Sequence, residues 1–138
     1  MGGEEHIWLK HDAESGWIQR KAYLRFDLTR ADSIADASLN LAYSWPYPSP
    51  SASTFNIYGL VDGLAEESWD ELATTWNNAP ANNTSSPTGF ISSKSTFLGQ
   101  VTFDIGSAIL GDEMSFSSPE LVTFLNHDRA NMGSCRNL

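Results

Sequence analysis

The chain holds a single cysteine, Cys135, among 138 residues, so no intramolecular disulfide framework can staple it. Cysteine usage therefore leaves the compartment unmarked. Positive charge is also scarce: eight Lys and Arg stand against 17 Asp and Glu, for a formal net charge of −9. Phosphate backbones are held by clustered cations, so this balance argues against nucleic acid as a partner, and it equally disfavours an anionic membrane surface. No apolar run approaches the roughly 20 residues of a membrane-spanning helix. The opening Met1-Gly2-Gly3-Glu4-Glu5 is neither basic nor followed by an apolar stretch, and reads as no signal peptide.

What is present is an ordinary globular composition, 41% hydrophobic and 18% charged, of a length that suits one domain over residues 1–138. Aromatics reach 12%, with five tryptophans. Such residues build all-β cores and also the flat platforms on which sugar rings stack. Charge is distributed unevenly. Lys10, Arg20, Lys21, Arg25 and Arg30 crowd the first thirty residues, whereas Asp62, Glu66, Glu67, Asp70 and Glu71 form a separate acidic run.

Period-two alternation predicts strands at residues 6–11 (Ile7 and Leu9 on one face), 20–28, 38–44, 53–61, 89–93 and 97–105. Pro46, Pro48 and Pro50 mark a rigid loop, and Asn77-Asn78-Ala79-Pro80 marks a turn. One helical turn is expected at 105–110, stopped by Gly111. Ser118-Pro119-Glu120 announces a helix: Ser caps, Pro fits the first turn and Glu faces the dipole, with Leu121, Val122, Phe124 and Leu125 supplying an apolar side through about Asn126. Short strands with frequent turns and little helix indicate an all-β antiparallel β-sandwich with one or two short helices near the C-terminus.

Two segments carry a family resemblance. Arg20-Lys21-Ala22-Tyr23-Leu24-Arg25-Phe26-Asp27-Leu28 and, several tens of residues on, Trp69…Thr75-Trp76-Asn77-Asn78-Ala79-Pro80 resemble the signatures of the DNRLRE domain, grouped among carbohydrate-binding modules as family ninety-six. The resemblance runs from about His6 to about Leu110. It implies a jelly-roll-like strand order, a secreted or cell-surface location, a polysaccharide as partner, and catalytic or surface domains alongside in a parent protein. A structural calcium is a further family-level expectation, for which the acidic run from Asp62 to Glu71 offers the carboxylates, although without an EF-hand pattern. Members usually carry a further strand at the start and one or two at the end. The chain is therefore expected to be a piece of a larger protein, with exposed edges, marginal stability or self-association, and intermolecular disulfides through Cys135.

The best candidate surface follows from alternation. If Ile7, Leu9, Leu24 and Phe26 face the core, then Trp8, Lys10, Lys21, Tyr23 and Arg25 share the opposite face with His6. Aromatic rings stack on the C–H faces of pyranoses, and Lys and Arg bind uronate carboxylates or sulfates. A second reading stands beside it: a covering layer would make Tyr23 core and the Arg and Lys residues part of the fold. Trp17 and Trp45, both in loops, are further candidate platforms, whereas Trp69 and Trp76 are expected to pack a loop.

Catalysis has little support. No G-x-S-x-G elbow, P-loop or H-E-x-x-H occurs, and the neighbouring acids Glu66/Glu67 and Asp70/Glu71 are poorly placed to flank a scissile bond. The expected role is a non-catalytic module for an acidic polysaccharide such as alginate or pectate. The alternative is a structural spacer or adhesion module with no glycan ligand.

Overall fold

The computed structural model describes residues 21–28, 30–44, 52–61, 69–70, 72–86 and 89–134. Its contacts cluster into two compact units, one of Met1–Asp27 with Leu60–Thr96 and one of Leu28–Gly59 with Phe97–Leu138. The expected strand at 6–11, the 46–50 loop, and the candidates Trp8, Lys10, Trp17 and Trp45 lie outside the described residues.

The second unit contains most of the regular structure. Leu39 and Leu41 alternate with Asn40 and Ala42, giving strand β1 at Leu39–Ala42. The longer apolar alternation of Phe55 and Ile57 gives β2 at Ser53–Leu60. Strand β3 spans Ser95–Phe103 and β4 spans Glu113–Phe116. These four form two two-stranded sheets, β1 with β4 and β2 with β3. The first is antiparallel, with Leu39 opposite Phe116 and Leu41 opposite Met114. Gly111 (φ 94°) turns the chain into β4 and donates its N–H to the Tyr43 carbonyl, while Tyr43 N–H reaches Asp112 O at 2.7 Å.

The expectation of a β-rich chain with a C-terminal helix holds. Several local expectations differ. The strand expected at 89–93 is reduced to an isolated bridge at Phe90 followed by a turn, and residues 21–28 form no strand. Residues 105–110 make no helical turn, because the Asp104 carboxylate captures Gly106 N–H at 3.1 Å and the Ser107 hydroxyl at 2.8 Å, and Asp112 captures Ile109 N–H. Strand β4 is an addition: its two inward residues, Met114 and Phe116, are too short a pattern to announce a strand.

Helix α1, Pro119–Ser134, starts where the cap chemistry placed it and runs beyond Asn126. The Ser118 hydroxyl oxygen accepts Leu121 N–H at 2.9 Å and donates its own proton to the Leu98 carbonyl at 2.7 Å. Asn126 adds a second tie: its side chain donates to Ile34 O and accepts Ile34 N–H. Leu98, Phe116 and Leu121 form the buried centre of this unit, with Leu39, Ile57, Val101 and Phe124 packed against it. All four strands and the helix thus contribute to one core.

Gly99 shows how tight that core is. Its φ is 136°, and a Cβ there would meet the Phe116 ring at 2.9 Å. The inward positions slip at this glycine, from Leu98 to Val101 instead of two residues on, which is the behaviour of a bulge. Among the described residues, no helix is long and apolar enough to cross a membrane.

Candidate functional site

The first unit brings the two sequence signatures together. Burial alternates along residues 21–24, but the segment joins no ladder and the side opposite to the expected one is turned inward. Lys21 and Tyr23 are half-buried, while Leu24 is 43% and Phe26 60% exposed. The reason is the nature of the partner. These side chains meet an aromatic wall of Trp69, Trp76 and Phe90, which attracts a cation and a phenol ring as well as it would an aliphatic chain.

Lys21 is the most heavily engaged. Its ammonium donates to Asn82 Oδ1 at 2.6 Å and to the Gly89 carbonyl. It also lies 4.9 Å from the Trp76 ring centroid and 4.6 Å from that of Phe90. Desolvation lowers its pKa from the ordinary 10.5.

Tyr23 meets Trp69 and Phe90 edge-on, with centroids 6.0 and 6.2 Å apart. Among the described residues its buried hydroxyl has no hydrogen-bond partner, and burial pushes its pKa up to about 12. Arg25 is exposed, with its guanidinium 5.9 Å from the Trp69 centroid. Of the sequence candidates within the described residues, Lys21, Tyr23 and Arg25 therefore gather on one aromatic cluster.

The asparagine turn supplies the rest of the site. Asn78 Oδ1 accepts both the N–H and the hydroxyl of Thr75, and its amide donates to Ala73 O at 2.9 Å. Asn82 is 7% exposed; beside accepting from Lys21, it donates to Trp76 O at 2.6 Å. Ala81 adopts a positive φ of 50° and accepts Ile91 N–H at 2.8 Å, and Asn82 bridges to Phe90. The turn is thus fixed on both sides by its own amides.

Asn77 differs. It is exposed, and its side chain makes no hydrogen bond among the described residues. It borders an open recess of about 350 Å³, together with Trp69, Asn78, Asn82, Ile91 and Lys94. Sequence reasoning read this stretch as a turn alone. The signal for more was the run of amides directly after Trp76.

Chemically, the cluster offers aromatic faces, an exposed guanidinium and amides. Among the described residues, no three His, Cys, Asp or Glu side chains gather as a metal site, and Glu66, Glu67 and Glu71 of the acidic run lie outside those residues, as does Asp62. Asp70, within them, uses its carboxylate to accept Leu72 N–H at 2.9 Å. No curated protein and no solved structure matches the chain. Residues 1–127 match the model of carbohydrate-binding module family 96.

Proposed function

The chain belongs to that family of carbohydrate-binding modules, and on this premise we propose that its ligand is an acidic polysaccharide of the alginate or pectate type. The module is read as non-catalytic and extracellular, with a jelly-roll-like sandwich as its complete fold. It would hold the catalytic or surface domains of a parent protein near their target, acting through effective concentration.

The observation that carries the acidic ligand is the exposed Arg25 guanidinium beside the Trp69 ring. A planar cation held by an aromatic face can pair with a uronate carboxylate in bidentate fashion, and the ring offers a stacking surface to the same sugar. Trp8 and Lys10 would extend this surface, with Lys21 and Tyr23 supporting it from within the cluster and the loop residues Trp17 and Trp45 as further contacts. The test is native affinity electrophoresis against alginate, pectate and neutral glucans at two salt concentrations. Retardation by an acidic polymer that fades with salt supports the reading.

A second reading, a structural spacer without a glycan ligand, is favoured by Lys21. Its ammonium is committed to Asn82, Gly89 and two aromatic rings, which gives the basic signature a role in the fold. Absence of retardation on every gel by folded protein would select it.

A further inference from the structure

We infer that the solvent face of the β2–β3 ribbon is a second glycan-binding surface, one that takes an uncharged polysaccharide chain. The inference rests on the carbohydrate-binding role of the family and goes beyond the acidic ligand proposed above. The residues of this face, Thr54, Asn56, Tyr58, Phe97, Gln100 and Thr102, all belong to the second unit.

Alternation and one glycine build it. Period two along β2 puts Thr54, Asn56 and Tyr58 on one side, with Thr54 and Asn56 exposed. On β3, Gln100 and Thr102 share that side: both are exposed, and the Thr102 and Thr54 hydroxyls meet across the strands at 2.9 Å. Simple alternation would next turn Leu98 outward. The bulge at Gly99 breaks the pattern, so Leu98 stays in the core at 3% exposure and Phe97 emerges at 51%. The Phe97 ring then meets the Tyr58 ring edge-on, with centroids 5.4 Å apart. From this aromatic pair, past the Asn56 and Gln100 amides, to the two threonines, the face extends about 13 Å along β2.

Each part suits a chain of sugar rings. Phe97 offers an exposed aromatic surface to the C–H face of one ring. The Asn56 and Gln100 side chains make no hydrogen bond among the described residues, and each amide presents a donor and an acceptor to neighbouring hydroxyls. Charge decides the class of chain. The eight residues of β2 and the nine of β3 include no Asp, Glu, Lys or Arg, although 18% of the chain is charged. These strands hold no cation to pair with a carboxylate, so the ligand they fit is neutral and its binding is insensitive to salt.

Calorimetry on the whole chain with cellohexaose, laminarihexaose and mannohexaose, at low and high salt, tests the assignment. The wild type is expected to bind at least one of them equally at both salt concentrations. Phe97→Ala removes the platform and is expected to weaken that binding about five- to tenfold, the scale of re-exposing half of an aromatic side chain. The double variant Asn56→Ala, Gln100→Ala loses no hydrogen bond of the fold and is expected to weaken it about three- to tenfold. The double variant should still be retarded like the wild type in alginate gels.

Retardation by alginate without binding of any neutral hexaose would overturn the second surface and leave the carbohydrate reading intact. So would a bound neutral hexaose whose affinity neither variant changes. Parallel loss of neutral and acidic binding in the double variant would overturn the separateness of the two sites. A concentration-dependent dimer that Phe97→Ala dissolves would assign the face to a second copy of the chain instead. Failure to bind any sugar, acidic or neutral, would overturn both this inference and the reading beneath it.

Discussion

The ammonium of Lys21 donates to the side-chain carbonyl of Asn82 at 2.6 Å, tying together residues 61 positions apart. The same Asn82 donates to the backbone of Trp76, whose ring lies against that ammonium. The two segments that mark the family therefore recognise each other. The basic segment and the aromatic-asparagine turn each satisfy polar groups that the other buries.

Removing that tie should be costly. Lys21→Met keeps most of the volume but leaves Asn82 Oδ1 and the Gly89 carbonyl without their donor. Charged hydrogen bonds and two cation–π contacts at a half-buried site set the loss at about 2–3 kcal/mol. Urea denaturation should show the midpoint falling with the slope unchanged. A midpoint within error of the wild type would mean that the ammonium is held too loosely to matter.

Tyr23 is expected to behave in the opposite way. Among the described residues its buried hydroxyl has no partner, so Tyr23→Phe removes an unsatisfied group and should be neutral or stabilising by about 1 kcal/mol at neutral pH.

The alkaline range gives a second reading of the same side chain. The phenol's folded pKa of about 12 exceeds the ordinary 10.0, so the folded state keeps the proton longer than the unfolded state does. The stability linked to it is complete below pH 10.0 and is lost as pH rises through about 12. Lys21, with its pKa lowered from 10.5 by desolvation, acts in the opposite sense. The difference between wild type and Tyr23→Phe cancels the lysine's contribution. That difference, followed by chemical denaturation from pH 9 upward, should shift against the wild type above pH 10.0. A pH-independent difference would contradict the burial of the phenol.

The helix cap offers a test in the second unit. Ser118→Ala removes the acceptor for Leu121 N–H and the donor to Leu98 O, and should cost about 1–2 kcal/mol. Ser118→Asp restores the cap alone, so partial recovery is expected. Thermal melts of the three proteins separate the two roles.

The helix start was legible in the sequence because a cap is local chemistry: Ser118, Pro119 and Glu120 act on backbone groups within one turn. The longer strands β2 and β3 were legible from alternation, and the turn at residues 77–80 from its Asn and Pro. The inward face of residues 21–28 was not. Alternation fixes that Lys21, Tyr23 and Arg25 share a side, but which side is buried depends on Trp69, Trp76 and Phe90, contributed from far along the chain. Hydrophobicity ranked Leu24 and Phe26 as core, and the aromatic wall took the cation and the phenol. The recess escaped for a related reason. Asn77, Asn78 and Asn82 look alike in sequence, and only their hydrogen bonds distinguish Asn78 and Asn82, which hold the fold, from Asn77, which does not.

The central claim is that this module binds an acidic polysaccharide through an exposed cation on an aromatic face, and Arg25→Ala tests it most directly. Arg25 is exposed, so the variant should unfold within about 0.5 kcal/mol of the wild type. In alginate and pectate gels the wild type should be retarded at low salt and released at high salt. The variant should migrate faster than the wild type at low salt and respond less to added salt. Equal, salt-insensitive migration of both proteins in the acidic gels, or retardation only by neutral glucan, would contradict the account.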